Sequence, residues 1–152
     1  DDFSFFEIDS DFNKNEILPQ VIEIIKDDCQ DYSDEVTMAL CELWKRSFVS
    51  NNTNQIGFMC RSNSDDFAGF ILADSVSENQ KKTMVINSFF VSTKFRGLGI
   101  GSELLSLCLS KLKETEKSWI LIPNLFTPEK IGPLLFRMGF EKIGSGYAAK
   151  LQ

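Results

Sequence analysis

The stretch TMVINSFFVSTKFRGLGIGSELL, from Thr83 to Leu105, constrains this chain more than any other. An apolar, β-rich run ends at Val91 and a basic turn follows. Three alternate glycines (Gly97, Gly99, Gly101) then lead into an amphipathic leucine helix. Glycines there let the backbone turn tightly and approach a ligand closely. The first amides of a helix have no partners inside it, and the helix dipole adds partial positive charge. Together these features predict a site for an anion, most naturally a phosphate.

Two glycine motifs do not fit. A dinucleotide fingerprint needs Gly-x-Gly-x-x-Gly, and counting from Gly97 the sixth position is Ser102. A Walker loop ends in Gly-Lys-Ser/Thr, a tripeptide this sequence lacks. What remains is Arg-x-x-Gly-x-Gly, read as Arg96, Gly99 and Gly101, followed by Leu104-Leu105.

The rest of the chain reads as alternating elements. Phe3–Ile8 is a first strand; Pro19 suits the opening turn of a helix carrying Leu18, Val21, Ile22 and Ile25. A second helix starts near Ser33, with Val36, Leu40, Leu43, Trp44 and Phe48 as its buried stripe. Residues 55–61 and 67–75 form a hairpin, and 83–91 is the next strand. Helix 100–116 buries Ile100, Leu104, Leu107/Cys108 and Leu112, and 119–123 reads as a strand buried on both faces. Thr127-Pro128-Glu129 starts a helix that Pro133 should kink and Gly139 should end. Phe140–Ile143 and Tyr147–Leu151 make a last hairpin. The predicted order is β-α-α-β-β-β-α-β-α-β-β in one domain, 1–152.

Motif, strand, Leu-Leu helix and element order together resemble the acetyl-CoA-binding motif and fold of the GNAT superfamily of N-acetyltransferases. Gly139-Phe140 is similar to the Gly-Phe that commonly closes the last helix in that superfamily. The resemblance implies a mixed α/β fold, with a mostly antiparallel sheet of six to seven strands flanked by four helices. It implies that strand 83–91 splays from 119–123 and takes the pantetheine arm of acetyl-CoA along the backbone of Phe90 and Val91. Amides from Gly97 through Leu98, Gly99, Ile100 and Gly101 to Ser102 would hold the pyrophosphate, and Arg96 would support the turn or contact phosphate. Asn124 and Phe126 would lie near the thioester, although Asn124 reads equally as a plain loop residue.

The implied reaction is attack of an amine on the acetyl thioester, with a strand amide such as that of Phe90 as oxyanion donor. Many members place an acidic tyrosine four residues before the helix-ending glycine; here that position is Leu135. Of the two tyrosines, Tyr32 and Tyr147, the latter is the geometric candidate for the acid, or else a packing residue. The chain has no histidine, which rules out Ser-His or Cys-His catalysis. A catalytically silent acyl-CoA-binding module of the same fold is the alternative.

Composition narrows the partners. Residues 1–43 carry a net charge of −11 and the remainder +5; from Asn79 to Ser102 there is no carboxylate, while Lys81, Lys82, Lys94 and Arg96 are all present. That stretch favours a polyanionic cofactor. The acidic third is either a solvated helical face or an attractor of cations, and a cationic amine acceptor follows from the second reading. An acidic chain argues against nucleic acid. No apolar run approaches a membrane span and no signal-peptide pattern opens the chain, which begins at Asp1 rather than Met. Cys29, Cys41, Cys60 and Cys108 sit apart in apolar segments and read as buried free thiols in a reducing, cytoplasmic compartment, with no metal site. A homodimer is compatible with the sequence.

Overall fold

The computed structural model describes residues 2–9, 12, 14–49, 55–75, 83–115, 119–122, 132–144 and 146–151. The elements run β1 (Phe3–Glu7), α1 (Leu18–Asp28), α2 (Asp34–Val49), β2 (Ile56–Ser62), β3 (Phe67–Ser75), β4 (Thr83–Val91), α3 (Ile100–Lys113), β5 (Trp119–Ile122), α4 (Gly132–Arg137), β6 (Glu141–Ile143) and β7 (Gly146–Lys150). This is the order read from the sequence. The strands form one seven-stranded sheet, β1-β2-β3-β4-β5-β7-β6, antiparallel except where β4 and β5 run parallel.

Local chemistry sets the helix ends. Ser33 caps α2, its Oγ accepting the Val36 amide at 3.3 Å. Gly139 closes α4 at φ +91°, and the amides of Gly139 and Phe140 return to the carbonyls of Phe136 and Leu135 at 3.1 and 2.9 Å. That pair of bonds is a Schellman motif, which needs the left-handed glycine.

Two apolar layers sandwich the sheet. On one face α3 packs Ile100, Leu104, Leu105, Cys108 and Leu112 against Met84, Ile86 and Phe89. On the other, α1 and α2 bring Val21, Ile25, Cys41 and Trp44 against Phe70, Leu72 and Phe90. The Trp44 ring meets Phe90 edge-on, with centroids 4.9 Å apart. All four cysteines are buried and free.

Two sequence readings need correction. The stripe of α2 is rotated: Cys41 and Trp44 are buried, whereas Val36 and Leu43 are about half exposed, at 47% and 48%. The contact of α2 with α1 and β4 is narrower than its apolar face. Second, β5 is not covered on both sides. Ile120 and Ile122 join the α3 core, but Trp119 is exposed because α1 and α2 pack over β3 and β4 and stop short of β5. Pro133 lies within α4, and the residues before Gly132, where the sequence reading starts that helix, lie outside the described residues. Thr127, Pro128, Glu129 and the side chain of Phe48 lie outside the described residues.

Candidate functional site

β4 changes partner along its length. Against β5 it pairs only at Thr83–Trp119, Met84–Ile120 and Val85–Leu121, while against β3 it stays paired to Val91–Gly69. From Ile86 to Val91, among the described residues, the edge facing β5 is therefore open.

Which backbone groups face that opening follows from register. The Ser92 amide donates to the Ala68 carbonyl at 2.8 Å, across to β3. Alternate residues of a strand point their N–H and C=O the same way, so Phe90 also addresses β3. A β-carbon built on Gly69 would lie 2.8 Å from the Phe90 carbonyl oxygen, consistent with that direction. The amides at the open edge are those of Phe89 and Val91. Phe90, inferred from the sequence as the oxyanion donor, thus turns its amide to β3, because side-chain pattern does not reveal hydrogen-bond phase.

Beyond β4 a short 3-10 turn, Thr93–Phe95, leads into the glycines. Gly97 and Gly99 take φ +80° and +85°, left-handed values that other residues adopt at a cost. The first helical bond of α3 is donated by Glu103 to Gly99 at 3.1 Å. The amides of Ile100, Gly101 and Ser102 precede it, so they have no acceptor in the helix. Arg96 Nε donates to the Val91 carbonyl at 3.1 Å, clasping the turn to the end of β4.

A cavity of about 420 Å³ opens at this junction. Its walls bring together Phe89 and Val91 of β4, Arg96, Gly97, Gly99, Ile100, Gly101 and Ser102 of the loop and helix start, and Leu134 and Arg137 of α4. Leu98 points outward and does not line it. Phe90 turns its ring to the opposite face. Lys94, counted from sequence among the local cations, is paired with Asp66 at 3.2 Å.

Arg137 was missed by the sequence reading. It lies about forty residues from the glycines, and only the helix-closing Gly139 hinted that α4 borders the site. Tyr147 is not among the lining residues. Its ring packs edge-on against Phe136, and its hydroxyl would stand 3.0 Å from a β-carbon at Gly132. Leu135, where the family's tyrosine would sit, is fully buried. Asn124 and Phe126 lie outside the described residues, as do Lys81 and Lys82. No group of His, Cys, Asp or Glu side chains suited to a metal ion occurs among the described residues. No helix among them is long and apolar enough to cross a membrane.

The site thus offers orphan amides at a helix start, a second cation, and a strand edge that, among the described residues, no other strand pairs. An anionic group with an extended, amide-bearing arm matches all three. Comparisons agree with this geometry. Residues 18–125 match the sequence profile described as the Acetyltransferase (GNAT) family. No curated protein matches the chain. Among solved structures, a GNAT-family acetyltransferase from Staphylococcus aureus Mu50 superposes with a TM-score of 0.74 at 17% identity, over 99% of this chain and 100% of its own. The PaiA N-acetyltransferase of Thermoplasma acidophilum, solved in complex with coenzyme A, gives 0.68 at 14% identity over 99% of both chains. Tetrahymena GCN5 gives 0.64 at 11% identity, over 99% of this chain and 96% of its own.

Proposed function

This chain belongs to the acetyltransferase (GNAT) family, and from that premise we propose that it moves an acetyl group from acetyl-CoA to a primary amine. The observation that carries the reading is the joining, in one cavity, of the orphan amides of α3 with the open edge of β4. The diphosphate of the cofactor sits on the amides from Gly97 to Ser102. Arg137 faces its charge, and Arg96 holds the turn through Val91. The pantetheine arm lies along the open edge, exchanging hydrogen bonds with Phe89 and Val91 as an added strand would.

The thioester then lies where β4 and β5 close together. A neutral amine attacks the acetyl carbon, the new C–N bond forms as the C–S bond breaks, and CoA leaves as thiolate. The ammonium proton goes to water, and the thiolate takes a proton from water. Most of the rate comes from holding the two reactants in line. In this family the first two helices border the acceptor entrance, and here they lie in the acidic first third of the chain, which favours a cationic acceptor, whether a small molecule or a protein amine. A silent acyl-CoA-binding module is the second reading, favoured by buried Leu135 and by Tyr147 lying off the cavity.

Melting curves with acetyl-CoA and with free CoA test the cofactor site. Both should raise the melting temperature, and Gly99→Val should abolish the rise by denying the left-handed turn. Release of free thiol over a panel of amines separates enzyme from silent module. For a cationic acceptor, added salt should raise its KM. No shift with either cofactor would end the proposal.

A further inference from the structure

The three central strands, β3, β4 and β5, carry a single charged side chain, Asp74. A carboxylate in the middle of a sheet is costly to desolvate, so its partners matter. Lys14, in a short 3-10 turn (Lys14–Glu16), donates from Nζ to Gln55 Oε1, and Gln55 Nε2 donates to Asp74 Oδ1 at 3.0 Å. Burial draws the Lys14 ammonium below its ordinary pKa, and the Asp74 charge opposes that. Asp74 follows Ala73, which joins the α3 core, and so it shares the opposite face with Leu72. It is half-buried there.

Register carries this carboxylate to the opening. β4 has a bulge: Leu72 pairs with Ser88 and Ala73 with Ile86, leaving the backbone of Asn87 without a counterpart on β3. Pairing resumes with Asp74 opposite Val85, and Val85 pairs with Leu121, the last pair before β4 and β5 part. Paired residues share a face, so Asp74, Val85 and Leu121 form one row on the side of α1 and α2. Trp119, two residues before Leu121, extends the apolar floor of that row and is 43% exposed. Val85 and Leu121 are half-buried. The cofactor cavity lies on the α3 side, whereas the point where the strands part can be approached from either face.

We propose that this row is the acceptor subsite: Asp74 receives the ammonium of a primary amine whose apolar body lies over Val85, Leu121 and Trp119. This rests on the acetyl-transfer reading given above and adds to it the acceptor's chemical class. One and a half strand spacings, roughly 7 Å, separate Asp74 from the gap between β4 and β5. An amine docked between them sheds its proton to water and faces the acyl carbon. Gln55 steadies the carboxylate. Lys14 is a built-in competitor, a cation that already leans on the same charge and weakens its pull on an incoming one.

The test measures thiol release with 2-phenylethylamine at saturating acetyl-CoA in the parent protein, Asp74→Asn and Lys14→Met. Asp74→Asn should raise the KM of the amine roughly tenfold, as for loss of a charged hydrogen bond. Lys14→Met should lower it roughly two- to threefold by removing the competing cation. Both substitutions cut the same polar chain, so a merely structural link would move the KM the same way in each. Ethanolamine, which has no apolar body, should show a higher KM than 2-phenylethylamine, and Trp119→Ala should narrow that difference. The rise in melting temperature with free CoA should be alike in all variants. An unchanged KM in Asp74→Asn, or a raised one in Lys14→Met, would overturn the assignment. So would a parent that is stabilised by CoA yet releases no thiol with 2-phenylethylamine. If CoA does not stabilise the parent, the acetyl-CoA reading itself fails, and this inference falls with it.

Discussion

Individual residues at the cavity divide into those that shape it and those that charge it. Gly97 and Gly99 shape it: nothing lies within 4 Å of a β-carbon at either, so glycine is needed there for the sign of φ and not for space. Arg96 also shapes it, through Val91. Arg137 supplies charge, and no ion pair engages it among the described residues. Replacing Arg137 by Ala should leave stability within about 0.5 kcal/mol, as for a surface substitution away from packing. Affinity for CoA should fall several-fold, with a shallower dependence on salt; titration at two ionic strengths reads both effects. The glycines were legible in the sequence because a local motif encodes local dihedrals. Arg137 was not, because its role comes from α4 folding back against α3.

At the scale of elements, β4 decides the site. Its limits, Thr83–Val91, are those the sequence implied, since an apolar β-rich run bounded by turn residues carries its own ends. The bulge at Asn87 was invisible, because inserting one residue into a strand leaves no signature in an apolar sequence such as INSFFV. The consequences are substantial: Phe89 and Val91 line the cavity, and Ser88 and Phe90 turn away from it. Gly69, opposite Val91, holds β3 and β4 at their spacing. A methyl group there would come within 2.8 Å of the Phe90 carbonyl and 3.4 Å of Leu104 Cδ1. Because the first obstacle is main chain, Gly69→Ala should cost about 1–3 kcal/mol in urea unfolding. It should weaken acetyl-CoA binding too, by displacing the end of β4. Unchanged stability would mean that the two strands part without penalty.

For the whole molecule, the order of elements was readable because each helix and strand announces its period, and short connections leave few ways to stack them. The reach of α1 and α2 over the sheet was not, and exposed Trp119 is the result. Four thiols buried across both cores make stability depend on alkaline pH. Burial pushes Cys60 up to about 11 and Cys108 up to about 12 from the ordinary 9.0, and raises Cys29 and Cys41 as well. Each folded thiol holds its proton more tightly than the unfolded one. Their contribution is therefore whole below about pH 9 and is lost as pH climbs through the folded values, at about 1.4 kcal/mol per thiol per pH unit. Urea midpoints should be flat in this respect from pH 7 to 8.5 and fall above pH 9. Cys60→Ala and Cys108→Ala variants, though less stable at neutrality, should each show a gentler alkaline decline.

The parting of β4 from β5 has a consequence for persistence in a cell. A ligand seated there would complete an interrupted sheet, much as a missing stave closes a barrel, and mass action would favour the intact form in proportion to cofactor supply. On the acetyl-CoA reading, the vacant protein would spend more time unravelled and within reach of proteases whenever the combined pool of free and acylated cofactor falls, so its abundance would follow that pool.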